Sequence, residues 1–231
     1  MFALALVLPT IPVNAHDVKI GQAHYIANEG VMVSNDGVKV MFDPLPLSGF
    51  GVYMDVSGET ETAIMRGLPP FDGIDAVFIS HAHRDHFSSS RMIDYMNAQT
   101  DVHLVAPLQA LTMMQNDKSW DAALLPRITA INMDYGDAPV AIKVGDIEAS
   151  AVRIPHSGWP APRRAMIQNM VYRVTLGSGA TVMHMGDADV RREHYAPFST
   201  HWQATRTDVA YPPYWFFLYP GGTEILYNDL N

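Results

Sequence analysis

The 231-residue chain contains no cysteine. That absence removes disulfides, thiolate nucleophiles, cysteine-based zinc sites and cysteine-ligated clusters, and leaves the compartment open. Charge is also scarce: Asp, Glu, Lys and Arg make up 17% of the residues, below the usual quarter. Basic charge is scarcest, with 15 Lys and Arg against 24 Asp and Glu, a formal net charge of −9. So acidic a chain lacks the electrostatic footprint of a nucleic-acid binder, and no nucleic-acid partner is expected. No apolar run is long enough to span a bilayer as a helix, so no membrane span is expected. No repeat, low-complexity tract or Pro/Gly/Ser linker divides the chain. Hydrophobic residues, at 48%, suffice for a core, and residues 16–231 read as a single domain.

At the start, residues 2–13 form an apolar run broken by Pro9, Thr10 and Pro12 and followed by Val13-Asn14-Ala15. The small residues there suit a signal-peptidase site, so residues 1–15 read as a secretory signal peptide. No Lys or Arg precedes Lys19, so the basic start of such a signal is missing and the segment reads as truncated. Export to the periplasm or secretion follows; without the signal the protein would be cytoplasmic. A buried first strand is the competing reading, which the two prolines disfavour.

Along the rest of the chain, strands are predicted at 19–26, 31–34, 38–43, 76–80, 102–105, 128–133, 140–144, 147–154, 170–175, 181–185 and 208–211. Asn35-Asp36-Gly37 and Gly177-Ser178-Gly179 supply turns. Helices are predicted at 60–66, 88–99, 108–115, 189–195 and 222–229. Residues 76–80 are uniformly apolar up to Ser80, as in a strand buried on both faces. Helices set among many strands point to an α/β sandwich of mixed sheets.

The sharpest feature follows that strand directly: Ser80-His81-Ala82-His83-Arg84-Asp85-His86. Alternation along an extended chain puts His81, His83 and Asp85 on one side, and His86 swings in as the chain turns toward the next helix. Three imidazoles and a carboxylate suit Zn²⁺, with Mn²⁺ or Fe²⁺ as alternatives. The bland reading is a polar helix N-cap at Asp85. His156 follows the strand at 147–154, and Asp187 and Asp189 follow the strand at 181–185. Each alone is better read as a satisfied polar residue or an N-cap. Together, metal-type residues end three separate strands, and strand ends converge on one edge of a sheet.

His81 to His86, the later His156 and the Gly186-Asp187-Ala188-Asp189 turn resemble the metallo-β-lactamase superfamily, in its broad branch of bacterial metal-dependent, lactonase-like hydrolases. The segments Asn28-Glu29-Gly30, Phe42-Asp43-Pro44 and 208–216 are also similar to it. The resemblance covers the chain from about residue 23 onward. It implies a four-layer αββα sandwich of two mixed sheets with a dinuclear metal site on one edge. His81, His83 and His156 resemble ligands of the first metal, Asp85 and His86 ligands of the second, and Asp187 the bridging carboxylate. Asp43 would orient a ligand imidazole, as metal-bound histidines require. The family carries one more histidine on the second metal near its C-terminal end. After Asp187 the chain offers only His194 and His201. The resemblance therefore predicts a sequence lacking its C-terminal end, a one-metal site, or a replacement ligand from His194 or His201.

The implied activity is hydrolysis of a small-molecule ester, lactone, amide or phosphodiester by a metal-bound hydroxide, with Asp85 catalytic and one or two Zn²⁺ as cofactor. An iron-dependent oxygenase or oxidoreductase on the same fold, and a degenerate metal-binding non-enzyme, are the rivals. Arg163-Arg164 and Arg191-Arg192 are candidate anion binders but read better as solvated faces. The aromatic run 211–219 reads first as core and second as a pocket wall, and His184 as structural. Oligomeric state is not legible in the sequence.

Overall fold

The structure is a computed structural model that describes residues 21–230. Its first half runs β1 (Gln22–Ala27), β2 (Gly30–Asn35), β3 (Val38–Phe42), α1 (Gly58–Arg66), β4 (Ala76–Phe78), α2 (Ser89–Ala98), β5 (His103–Pro107), α3 (Leu108–Gln115) and β6 (Ile128–Ile131). The second half adds β7 (Val140–Val144), β8 (Ile147–Arg153), α4 (Pro162–Ala165), β9 (Met170–Leu176), β10 (Ala180–His184), α5 (Ser199–Gln203), β11 (Val209–Tyr211) and α6 (Gly222–Glu224). The predicted signal segment lies outside the described residues. Among the described residues no helix is long and apolar enough to cross a membrane.

The strands form two mixed sheets, one of six strands in the order β1-β2-β3-β4-β5-β6 and one of five in the order β11-β10-β9-β8-β7. In the first sheet β1, β2 and β3 are antiparallel, and β3 through β6 run parallel. In the second only β10 and β11 are parallel. Turn chemistry sets the hairpins. Asp36 and Gly37 take φ of 50° and 87° between the paired Asn35 and Val38, as a two-residue hairpin turn requires.

Three apolar layers fill the sandwich. Val40, Phe42, Ala76 and Phe78 of the first sheet meet Met170, Tyr172 and Val174 of the second. The opposite face of the first sheet, with Met41, Val77, Ile79 and Leu104, is covered by Ile64 of α1, Met92, Ile93 and Met96 of α2, and Met114 of α3. The outer face of the second sheet, with Val152, Val171 and Met183, packs on Tyr195, Phe198, Trp202 and Phe216. Because β4 buries alternate residues against two different layers, it is apolar at every position, as its sequence indicates. The four-layer αββα sandwich is thus realised.

One predicted helix is absent. Residues 189–195 form a bend and a short 3₁₀ turn at Arg192–His194. Asp189 is the cause. Its N–H donates to Pro155 O, its carboxylate accepts from Arg191 N and Nε, and its carbonyl accepts from the Tyr195 hydroxyl. Those bonds tie the segment to the end of β8 and leave no helical ladder.

Candidate metal centre

Ser80, just beyond β4, is held at the mouth of the interlayer core. Its carbonyl accepts from Met170 N of the second sheet at 2.9 Å, and Ile79 O accepts from the Tyr172 hydroxyl at 3.0 Å. The chain then stays extended only as far as His83. His83 O accepts from both His86 N and Phe87 N, so the turn begins two residues earlier than alternation implied. This returns the His86 ring beside His81, with ring centroids 4.1 Å apart, and moves Asp85 to the rim. Its carboxylate stands 4.0 Å from His86 Nε2.

The other two strand ends are stitched to each other. Ser157 N donates to Asp187 O and Asp189 N to Pro155 O, both at 2.8 Å. Asn169 is fully buried and holds the junction, donating to Ile154 O and Met185 O and accepting from Asp187 N. Gly186 makes the approach possible. Its φ is 51°, and a Cβ there would lie 2.5 Å from the Ser80 Cβ and 2.6 Å from Asn169 Oδ1. Only a residue without a side chain lets the Asp187 turn close on the His81 segment.

His81, His83, His156 and Asp187 each place one ligand atom within 4.8 Å of the others. His81 Nε2 and His156 Nε2 are each 3.1 Å from His83 Nδ1. Asp187 Oδ2 is 3.0 Å from His156 Nε2 and 3.9 Å from His81 Nε2. A tetrahedral metal with bonds of about 2.0–2.1 Å has ligand-to-ligand edges of about 3.3–3.4 Å, so the donor set fits a divalent cation. The ring orientations agree. His156 Nδ1 donates to Ser157 O at 2.9 Å, which leaves the Nε2 lone pair facing the cluster. Ser80 Oγ, donating to Asp43 Oδ2, accepts from His81 Nδ1 at 3.0 Å and fixes that ring the same way.

Electrostatics favour the ligating forms. Burial pushes His81 well below the ordinary imidazole value, and the neighbouring His86 adds to it. His83 is lowered by burial and by His156. Neutral imidazoles with free lone pairs result, which metal binding requires. Burial pushes Asp187 upward, but the His156 and His86 imidazoles beside it outweigh burial and hold the carboxyl well below its usual range.

A second group of donors adjoins the first. One atom each of Glu29, His86 and Asp187 lie within 4.8 Å of one another. His86 Nδ1 donates to Asp43 Oδ2 at 2.8 Å, leaving Nε2 3.3 Å from Asp187 Oδ1. Asp43 therefore orients His86 directly and His81 through Ser80. The structure thus brings His81, His83, His86, His156 and Asp187 together, with Asp85 at their edge. His194 and His201, the replacement ligands suggested by the sequence, are both elsewhere. His194 lies between the Tyr135 hydroxyl and Asp189, and His201 beside Ser150. Glu29 escaped the sequence reading as a site residue. It sits in a hairpin turn 52 positions before His81, and a lone carboxylate in a turn carries no spacing signal.

Two spaces open onto the cluster. A cleft of about 490 Å³ lies over His83, Asp85, His156 and Asp187, with Arg84 and Arg164 on its wall. Arg164 Nη1 is 3.4 Å from His156 Nδ1. The other arginine pair is committed elsewhere: Arg191 to Asp189, and Arg192 to Asp229. A larger cavity of about 790 Å³ is reached past Glu29, Asp85 and Asp187. Its walls include Tyr25, Tyr53, Tyr211, Tyr214, Trp215 and Phe217, and among the described residues no Lys or Arg lines it. Of the aromatic run, Phe216 is core, but Tyr214, Phe217 and Tyr219 are exposed. The run serves mainly as a pocket wall, contrary to the sequence preference for core. His184 is buried and also reaches this cavity; it stacks on Phe42 with ring centroids 4.9 Å apart.

A solved structure shares this fold. Search of curated proteins gave no match. Among solved structures, a "possible metal-dependent hydrolase" from Veillonella parvula is similar at 13% identity and a TM-score of 0.51, over 79% of this chain and 68% of the other. A metallo hydrolase from Ignicoccus hospitalis gives 18% identity and a TM-score of 0.49, over 81% and 68% of the two chains. A metallo-beta-lactamase fold protein from Bacillus subtilis gives 15% and 0.48, over 82% of this chain. The present chain spans 64% of the length of that last protein. Residues 39–208 match the family model described as "Beta-lactamase superfamily domain", and the chain belongs to the metallo-β-lactamase superfamily.

Proposed function

We propose that this protein is a metal-dependent hydrolase of uncharged carboxylic esters or lactones that carry an apolar group. The observation that carries the reading is the four-donor cluster, whose Asp187, with Asp85 beside it, opens onto an aromatic cavity lined by no Lys or Arg among the described residues. His81, His83, His156 and Asp187 would hold the metal, and three imidazoles with one carboxylate suit Zn²⁺. When bound, the metal supplies Lewis acidity and a water acidic enough to ionise near neutral pH.

The chain's own groups do the rest. The aromatic wall receives the apolar part of the substrate and excludes water around it. Asp85, at the junction of both spaces, takes the proton of the attacking water on its carboxylate and passes it to the departing alkoxide. The water oxygen bonds to the carbonyl carbon, the C–O bond of the ester breaks, and an alcohol and a carboxylic acid result, the acid losing its remaining proton to solvent. Arg164, at the cleft wall, donates to the carbonyl oxygen as negative charge gathers on it. Asp85 at the mouth of the aromatic cavity, where no Lys or Arg among the described residues faces the substrate, disfavours phosphodiesters and other anions on that side.

Zinc-reconstituted protein is expected to hydrolyse an aryl ester or a medium-chain lactone at least 100-fold faster, in kcat/KM, than a bis-aryl phosphate. Asp85→Asn should abolish turnover while the first metal equivalent is retained. Preference for the phosphate, or unchanged turnover in Asp85→Asn, would overturn the proposal.

A further inference from the structure

Glu29 has no part in the chemistry above, yet its carboxyl is held at the cluster at a cost. Oε2 is closed off from solvent and has no hydrogen-bond partner. A buried carboxylate oxygen without a partner is unfavourable by several kcal/mol as an order of magnitude, so an unconstrained side chain would turn outward. The turn that carries it is pinned on three sides. Asn28, at φ 45°, donates from Nδ2 to Asp85 O at 3.0 Å. His184 Nε2 donates to Glu29 O at 3.0 Å. Gly30 is so close to the Asp43 loop that a Cβ would lie 2.9 Å from Asp43 O.

Asp187 faces two ways at the same place. Its Oδ2 belongs to the His81, His83 and His156 group, while Oδ1 lies 3.3 Å from His86 Nε2. His86 directs that nitrogen inward because Asp43 holds the other. An imidazole nitrogen and two carboxylates therefore converge on one point. We infer that Glu29, from the β1–β2 turn, is a ligand of a second divalent cation, with His86 Nε2 and Asp187 Oδ1. The inference rests on the metal-centre reading above.

Elemental analysis of zinc after saturation and desalting, paired with the visible spectrum of the Co²⁺-substituted protein, tests it. Wild-type protein is expected to hold two equivalents per chain, Glu29→Gln one, and Glu29→His two again. The Co²⁺ spectrum of Glu29→Gln should lose one set of ligand-field bands and keep the other. Thermal unfolding of each variant verifies that it is folded. Two equivalents in folded Glu29→Gln, or one in saturated wild type, overturn the Glu29 assignment and leave the first site standing. Wild-type protein that binds no zinc overturns the metal-centre reading itself.

Discussion

Asp43 accepts three hydrogen bonds at once, from Ser80 N, Ser80 Oγ and His86 Nδ1. One carboxylate thereby sets two imidazoles. Asp43→Asn is nearly isosteric but presents a donor where an acceptor is needed, and the His86 ring must change tautomer or turn. The expected result is a folded protein whose zinc affinity falls by about 10–100-fold, the usual size for partners of metal-bound histidine; competition with a chromogenic chelator measures it. Gly186→Ala acts through the backbone. The left-handed φ and the approach of Ser80 both oppose a Cβ. The His81 and Asp187 segments should separate, with loss of bound zinc and a lower Tm in the same variant.

At the level of elements, the segments around the site are shaped by bonds to one another more than by their own propensities. Asp189 illustrates this. Burial raises its pKa, but the adjacent His194 imidazole and hydrogen bonds from Arg191 outweigh burial and depress it. A depressed carboxyl contributes stability that is fully present above the unfolded value of about 3.9 and is lost as pH falls below it. Asp189→Asn should therefore lower Tm near pH 7, and the wild-type and variant curves should converge as pH falls below about 4. A gap that persists unchanged to pH 3 would count against the charge as the source. The 211–219 segment gives an independent prediction. Phe217 is exposed and lines the large cavity. Phe217→Ala should raise KM for an ester with an aryl or long acyl group by about tenfold, within the 1–3 kcal/mol expected of an apolar contact. Tm should change little, and a small acetyl ester should be unaffected.

Across the whole molecule, the sandwich brings the carboxyl-terminal ends of β4 in one sheet and of β8 and β10, on either side of β9, in the other to a common edge, and the candidate ligands stand just beyond each. Binding a cation to the folded chain alone stabilises it by mass action, by about 2.7 kcal/mol at a metal concentration 100 times Kd. A strong chelator should accordingly lower Tm reversibly, and His81→Ala should remove that response. The interlayer core sets the baseline. Phe78 is fully buried between Phe42 and Tyr172, and Phe78→Ala should cost about 3–5 kcal/mol in denaturant unfolding.

The local order of strands and helices was legible because each layer leaves a period in the chain: the unbroken apolar run of β4, the 3-and-4 spacing of Met92, Ile93 and Met96 on α2, and Asp36-Gly37 at a turn that needs two positive φ values. The metal candidates were legible because His81, His83 and His86 are crowded into six positions and His156 and Asp187 follow strands. What the sequence could not supply was anything fixed by contacts between distant segments. The helix expected at 189–195 yields to bonds from Asp189 to Pro155 and Tyr195. The aromatic run becomes a cavity wall because β11 leads it past the site and not into the core. Glu29 enters the cluster only because the β1–β2 turn is tied to Asp85 and His184. Short-range periodicity is written in single stretches of chain, whereas a carboxylate's partners are chosen by whichever remote backbone the fold brings within 3 Å.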